Sequence, residues 1–434
     1  MSLFDLAALL LTLSALFGWL NHRIVRLPHS IGLLVLGLAA SLLLVLLDLI
    51  FPAQHLYDQV KQPLQQIDFT QILMNGMLAF LLFAGALHLD MSALRDRAWP
   101  VAILALVGTV ISTILVGGAF FSAAWSLGHP LPLPWALVFG ALISPTDPVA
   151  VLSTLKNVKV PQALEVEMQG EALFNDGVGV VLFTALLAYA SASGAHANSF
   201  ERFFESVLRE AFGGLALGCL TGYVAYRAMR AIDDFPVEVL ITLALVAGTY
   251  ALAQKLGTSG PLAVVAAGLL IGERAPRYAM SKRTRTYVSA LWTLIDEVLN
   301  SVLFLLIGLE VLVLTFDPSV LGLAAAAVPI VLFARVIAVL TPLALFRWCD
   351  QLSARNVPFL TWAGLRGGIS VALALALPES PWKSAILAAT YAVVLFTIVV
   401  QGSTLGIVAR RTLGHVGGEQ WQRPPADEIR RRSG

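Results

Sequence analysis

From residue 3 to residue 409 the chain returns repeatedly to apolar stretches of membrane-crossing length. Runs of about 18 or more apolar residues read as bilayer spans, and there only helices or closed barrels satisfy their own backbone polar groups. Composition points the same way: 58% of the 434 residues are hydrophobic and 13% charged, against about a quarter charged in a soluble domain. The chain therefore reads as an all-α polytopic membrane protein. Hydropathy places about thirteen spans, at 3–20, 28–51, 70–89, 99–127, 132–155, 161–190, 206–229, 237–255, 259–272, 288–314, 319–347, 357–377 and 382–409. The ninth is short, and the sixth is expected to open with an interfacial turn around Glu165 and Glu167. The first segment lacks a basic leader region and a small-residue cleavage site, so a retained helix is expected. Cys219 and Cys349 fall on or at the end of spans, which argues against a disulfide framework.

Orientation follows from the distribution of basic residues. With the N-terminus outside, the inside loops hold Arg23, Arg26, Arg95, Arg97, Lys156, Lys159, Arg227 and Arg230, then the cluster Arg274, Arg277, Lys282, Arg283 and Arg285. Arg347, Arg355, Arg410, Arg411, Arg423, Arg430, Arg431 and Arg432 complete the set. The outside loops hold Lys61, Arg202, Arg209, Lys255 and Lys383. About 21 basic residues inside against about five outside predicts an N-out, C-in chain. Residues 1–411 are expected to form one transmembrane domain and 412–434 a short polar cytoplasmic tail, with no soluble domain attached.

Against this apolar background the ionisable residues within spans stand out. Asp176, in Phe174-Asn175-Asp176-Gly177, lies inside the sixth segment. A charge at bilayer depth costs about 2.5–3.5 kcal/mol on insertion scales, so it is read first as functional. Asp147 sits in Ser144-Pro145-Thr146-Asp147-Pro148, where two prolines remove backbone donors from the fifth segment. Arg335 and Arg366 fall within segments eleven and twelve and need buried partners, for which Glu171, Asp176, Asp296, Glu297 and Glu310 are candidates.

Segment twelve is also a poor helix at Gly364 and Arg366-Gly367-Gly368. The two interrupted segments are seven spans apart, and an odd offset inverts one copy relative to the other. Paired interruptions in two inverted halves point to a transporter's midplane site, where broken half-helices aim their dipole ends at the crossing. Asp147 would answer the positive helix N-termini there, and a cation such as Arg366 the exposed C-terminal carbonyls.

Other features have plainer readings. Gly213-Gly214 and Gly218 fit helix packing, the basic run at 274–285 a topology determinant more than a lipid site, and His88 an interfacial position. None of the seven histidines has metal-ligand spacing. An intramembrane aspartyl protease also uses two buried acids, but with Gly-x-Gly-Asp, whereas here Asp176 precedes Gly177 and Gly179. No carbonyl filter sequence marks a channel. A secondary transporter is expected, not an enzyme.

Taken together, Ser144-Pro145-Thr146-Asp147-Pro148, Glu171-Ala172-Leu173-Phe174-Asn175-Asp176-Gly177 and Gly364-Leu365-Arg366-Gly367-Gly368-Ile369 resemble the monovalent cation:proton antiporters of the NhaP/NHE type. Glu297-Val298-Leu299-Asn300-Ser301, leading into Phe304 and Gly308-Leu309, is similar to that family's tenth span. The resemblance covers nearly the whole chain. It implies a homodimer in the bacterial cytoplasmic (inner) membrane, with a core of spans 4–6 and 11–13 moving against a dimerisation scaffold of spans 1–3 and 7–10. It implies inverted repeats with two discontinuous, crossing helices, spans 5 and 12. It further implies that Asp176 alternately carries cation and proton, with Asn175, Thr146 and Asp147 around it. Glu171–Arg335 and Glu297–Arg366 would be structural ion pairs.

On the same resemblance, an Asn before the essential Asp favours electroneutral one-for-one exchange. No cofactor is implied beyond the transported ions, Na⁺ with Li⁺ or K⁺ as alternatives, and H⁺. Partners are the bilayer and a second copy, with no nucleic acid and no soluble partner. Two positions depart from the pattern. Ala84 stands where some bacterial relatives have a third-span Glu, and Ala172 where a small polar residue often follows Glu171. The expected mechanism is competition at one carboxylate. It holds a proton or a partly dehydrated cation on oxygen ligands from Asp176 and Thr146, and only the neutralised site crosses the hydrophobic gate. The expected role is pH and sodium homeostasis, with a K⁺/H⁺ antiporter of the same fold as the alternative.

Overall fold

A computed structural model describes residues 3–50, 76–155, 160–191, 200–310, 318–345 and 356–413. The residues at 51–75, Lys156, Lys159, Arg347, Cys349, Arg355 and the tail from 414 onward, which enter the topology reading above, lie outside the described residues.

All regular structure among the described residues is helical. In chain order the helices are α1 (Leu3–Leu20), α2 (His29–Ile50), α3 (Leu78–His88), α4 (Met91–Asp96), α5 (Ala98–Ile103), α6 (Thr109–Ser126), α7 (Leu133–Ile143), α8 (Pro148–Leu155) and α9 (Gln162–Ser191). They continue as α10 (Phe200–Arg230), α11 (Phe235–Leu256), α12 (Gly260–Tyr278), α13 (Lys282–Glu310), α14 (Leu321–Leu345), α15 (Val357–Trp362), α16 (Gly368–Leu375), α17 (Lys383–Phe396) and α18 (Ser403–Leu413). The pairs α5–α6 and α17–α18 each run on through a single wide helical turn, at Leu104–Gly108 and Thr397–Gly402. Among the described residues, nine helical stretches are long and apolar enough to cross a membrane.

Local chemistry accounts for several boundaries. Asp90 opens α4 by accepting from the amides of Ser92 at 2.9 Å and Ala93 at 3.3 Å, which satisfies donors that have no partner within the helix. Gly257 closes α11 in the left-handed conformation at φ +63°, and Ser259 then opens α12 by accepting from the Leu262 amide. The Gly213-Gly214 and Gly218 stripe is where α10 lies against the Thr258-Ser259 turn and the start of α12. A Cβ at Gly218 would collide with the Ala263 backbone, and one at Gly222 would crowd Ala267. Close approach on small residues replaces the hydrophobic drive that lipid cannot supply between helices.

Buried apolar side chains form two main clusters. The larger one gathers the two broken segments with α2, α6, α9, α13, α14 and α17. A smaller one holds α3, α10, α11 and α12 around Trp292, whose ring lies 4.6 Å from that of Phe83.

Two local expectations need correction. The sixth segment does not open with an interfacial turn: α9 is helical from Gln162, and Glu167 is buried at 1% exposure against the Arg97 guanidinium at 2.8 Å. Pairing removes the reason for that carboxylate to seek the surface. The bounds of the ninth segment also change: its helix, α12, runs on past the short apolar stretch through Pro276 to Tyr278, although it is not among the nine stretches of membrane-crossing length and hydropathy. The basic cluster at 274–285 therefore lies mainly on the ends of α12 and α13, not in a loop.

Candidate functional site

Both interrupted segments are split at the positions their prolines and glycines indicate. Helix α7 stops at Ile143 and α8 begins at Pro148, while α15 stops at Trp362 and α16 begins at Gly368. Pro145 and Pro148 have no N–H to continue a helical ladder, so the chain between them is free to bond elsewhere. The two breaks meet, with the Asp147 amide donating to the Leu365 carbonyl at 2.8 Å.

Charges at the meeting point follow the helix ends. The Arg366 side chain, 1% exposed, donates to the carbonyls of Ser144 and, at 2.9 Å, Pro145. Those carbonyls close α7, where a guanidinium both fills unsatisfied acceptors and opposes the negative helix end. Asp147 accepts at 2.8 Å from the amide of Val149, in the first turn of α8. That is the mirror-image arrangement at a positive helix end. Gly367 is needed for this contact, because a Cβ there would occupy the space of the Asp147 carboxylate.

Helix α9 supplies the next layer. Asn175 accepts from the Thr146 amide at 3.3 Å and donates to the Thr146 hydroxyl at 2.8 Å, so both ends of its amide are engaged. The Thr146 hydroxyl keeps one acceptor lone pair for another partner. Asp176, one position on, is buried and faces a cavity of about 360 Å³. Thr146, Asp147, Asp296, Asn300 and Ser370 share the lining of that cavity. The charged groups acting on Asp176 are Asp147, which repels it, and Arg366, which attracts it. Among the described residues no protein donor binds the Asp176 carboxylate, which leaves its oxygens to the cavity. Ala84 lines the same cavity without offering an oxygen.

Of the two ion pairs expected from sequence, the structure holds one arginine differently. Arg335 meets Glu171 with both nitrogens, one contact being 3.1 Å, and also donates to the Leu360 carbonyl at 3.2 Å. It thereby ties α14 to α9 and α15. Glu297, by contrast, is exposed on α13 and does not pair with Arg366, whose hydrogen bonds go to backbone carbonyls. A buried guanidinium beside a broken helix already has acceptors at hand, so it does not require a carboxylate.

Several contributors carry little signal in the sequence. Thr397 accepts from the Arg366 amide at 3.2 Å; nothing local marks it, because its partner is 31 residues away. The Arg97–Glu167 pair is hinted at only by Glu167 lying one turn before Glu171. Ser370 is marked only as the polar residue three positions beyond Gly367. Among the described residues no cluster of three or more His, Cys, Asp or Glu side chains is placed to hold a metal ion, and a monovalent cation would be cargo taken up on oxygens.

Comparison with known proteins gives the chain its family. The profile of a family described as "Sodium/hydrogen exchanger, transmembrane" matches residues 11–411. The chain is 42% identical over 412 residues to a Na⁺/H⁺ antiporter, NhaP, of Pseudomonas aeruginosa, covering 94% of this chain and 96% of the relative. It is 36% identical over 388 residues to a Na⁺/H⁺ antiporter, NhaH, of Halobacillus dabanensis, covering 88% and 91%. The solved structure of the sodium proton antiporter MjNhaP1 from Methanocaldococcus jannaschii shares the fold, with a TM-score of 0.73 at 20% identity over 95% of this chain and 98% of that one.

Proposed function

Because the chain belongs to the sodium/hydrogen exchanger family, we propose that it is a secondary antiporter exchanging Na⁺ for H⁺ across a membrane, with Asp176 as the residue that carries each in turn. The observation that carries this reading is the setting of Asp176. It is buried on a cavity wall beside the junction of two broken helices, with its oxygens open to that cavity. A desolvated carboxylate is costly to keep charged and unpaired. It therefore takes a proton or a cation, and the two compete for the same oxygens. A Na⁺ ion needs several oxygen ligands, for which Asp176 and the Thr146 hydroxyl are the direct candidates, with Asp147 and its water shell behind them. Asn175 acts by holding Thr146 in place.

Coupling follows from the gate. The occupied, neutral site moves between the two faces of the membrane, whereas the bare carboxylate does not. One titrating position exchanging one cation for one proton makes the cycle electroneutral, and Asn175, which carries no charge, supports that stoichiometry. Spans 4–6 and 11–13 form the moving core, which holds both broken segments and the long helix that carries Asp176. Spans 1–3 and 7–10 form the scaffold and the homodimer contact. The protein resides in a bacterial cytoplasmic membrane with its N-terminus outside and its C-terminus inside, which the distribution of basic residues supports. Its role is pH and sodium homeostasis, and the names of the relatives favour Na⁺ over K⁺.

The test is exchange in proteoliposomes under an imposed pH gradient, with Na⁺, Li⁺ and K⁺ added in turn across pH 6–9. Na⁺ is expected to dissipate the gradient in wild type, and Asp176→Asn is expected to fold and do nothing. Na⁺-dependent dissipation by Asp176→Asn at the wild-type rate would overturn the assignment, and dissipation of the wild-type gradient by K⁺ alone would overturn the choice of ion.

A further inference from the structure

His88, the last residue of α3, is the one basic side chain among the described residues that line the cavity holding Asp176. The acids on that lining are Asp147, Asp176 and Asp296. His88 and Thr293 are exposed where Thr146, Asp176 and Asn300 are buried, so the two stand at the open end. Both ring nitrogens are engaged there. Nδ1 lies 2.8 Å from the Ala84 carbonyl, which can only accept, so this nitrogen carries a hydrogen. Nε2 lies 3.2 Å from the Thr293 hydroxyl, whose own hydrogen goes to the Ser289 carbonyl at 2.9 Å.

All three bonds hold together when the ring is an imidazolium, with Nε2 donating to Thr293. When Nε2 loses its proton it becomes an acceptor, and the Thr293 hydroxyl can serve it by rotating away from Ser289. The backbone need not move. The same two partners therefore hold the ring in either charge state, and what changes is the charge at the mouth. An imidazole makes that change between about pH 5 and 8. The charges on the surrounding elements are mostly committed elsewhere. On α12, Glu273 pairs with Arg95 at 2.7 Å, and Arg274 and Arg277 are exposed at its end. On α9, Glu167 pairs with Arg97 and Glu165 accepts from Gln169. On α11, Glu238 accepts from Thr284, and Lys255 lies at the far end. Asp90 caps α4. On α13, Lys282, Arg283 and Arg285 lie more than two turns before Thr293, and Glu297 is exposed beyond it. Asp296 is the acid of that helix on which His88 acts.

We propose that His88 is a proton-operated charge gate at the mouth of the cavity, a second protonation site apart from Asp176, which sets how strongly the cavity acids draw Na⁺ inward. As an imidazolium it offsets one of their charges and repels an entering cation. As a neutral ring it leaves their field intact. The sign follows directly: Na⁺ entry is weak at low pH and strengthens as pH rises through the range in which imidazole titrates. From His88 the chain runs into the segment that holds Arg95 and Arg97, so on the proposed orientation the mouth faces the cytoplasm. The gate then responds to internal pH. This rests on the exchange reading above and adds to it a control on cation entry.

The experiment measures initial exchange rates against Na⁺ concentration in everted membrane vesicles holding wild type, His88→Gln or His88→Lys. It is run at about pH 6 and about pH 9, on either side of the usual imidazole midpoint. Proton competition at Asp176 raises the KM for Na⁺ at low pH in all three, so the variants are compared with wild type at one pH. At the lower pH, His88→Gln is expected to show a KM about fourfold below wild type, with His88→Lys close to wild type. At the higher pH, His88→Lys is expected to lie about fourfold above wild type, with His88→Gln close to it. Both differences are expected to collapse in about 0.5 M N-methylglucamine chloride, where salt cuts the reach of a charge to a few ångströms. A ratio of variant to wild type that is the same at both pH values, or that survives the salt, marks a merely structural role and overturns the gate. If one variant does not fold, the other decides, since each departs from wild type at a different pH. If wild type itself shows no Na⁺-dependent exchange, the failure lies with the function and not with His88.

Discussion

In the first break the Thr146 amide is held by Asn175 at 3.3 Å; in the second, the Arg366 amide is held by Thr397 at 3.2 Å. The partner in each case comes from the helix that follows the break, 29 residues on in one half and 31 in the other. The same device thus recurs, with an unwound residue pinned through its backbone by a polar side chain on the next long helix. The side chains at the breaks differ in sign. The first break presents Thr146 and Asp147 to the cavity, whereas the second turns Arg366 away from it and onto the carbonyls that end α7. On the proposed reading, one half offers oxygens to an ion, and the other supplies a fixed positive charge beside two acids.

This division of labour can be broken at graded points. Arg366→Gln should have the largest effect, because it removes a buried charged donor worth about 1.5–3 kcal/mol per bond of this kind and leaves the α7 carbonyls unanswered. Loss of exchange with a lowered thermal midpoint in detergent is expected, and near-normal exchange would show that the second half supplies no essential charge. Gly367→Ala comes next, since its Cβ would displace the Asp147 carboxylate. A folded protein with exchange reduced about tenfold is expected on the scale of roughly 1–3 kcal/mol for such overpacking, read in proteoliposomes at saturating Na⁺.

The smallest pair separates the two halves most finely. Asn175→Ala and Thr397→Val each remove one hydrogen bond to an unwound backbone amide, worth about 0.5–1.5 kcal/mol, and should lower thermal stability by similar amounts. Only Asn175→Ala also releases the Thr146 hydroxyl, so only it should raise the KM for Na⁺. Equal KM shifts in both variants would mean that the two halves share the binding task.

The features legible in the sequence are those written in local backbone chemistry. Pro145 and Pro148 cannot donate, and Gly367-Gly368 cannot sustain a helix, so both breaks follow from the residue types alone. The long apolar runs require helices for the same reason, and the Gly213 to Gly218 stripe marks a close helix contact. The partners of the buried charges are not legible in this way. For Arg366 the sequence offers both acids and the carbonyls at a broken helix end, and only the packed structure shows that it takes the carbonyls of Ser144 and Pro145 and not Glu297. Glu167 reads as interfacial because its partner, Arg97, lies 70 residues earlier. Ser370 carries no signal of its own, because a serine within an apolar helix gains meaning only from the cavity beside it.

By itself, then, the sequence determined a helical membrane protein with two interruptions and a small set of ionisable residues buried among lipid-compatible ones. Each of those properties depends on the hydropathy of a segment or on the donors and torsions of a few neighbouring residues. The tertiary structure decided that the interruptions touch through Asp147 and Leu365, that Arg366 closes α7, and that Asp176, Asp296 and Ser370 share one cavity. Those relations join segments up to 222 residues apart. They exist because charges and unpaired backbone groups buried in a bilayer must be satisfied by one another, and only the packed arrangement selects which of them meet.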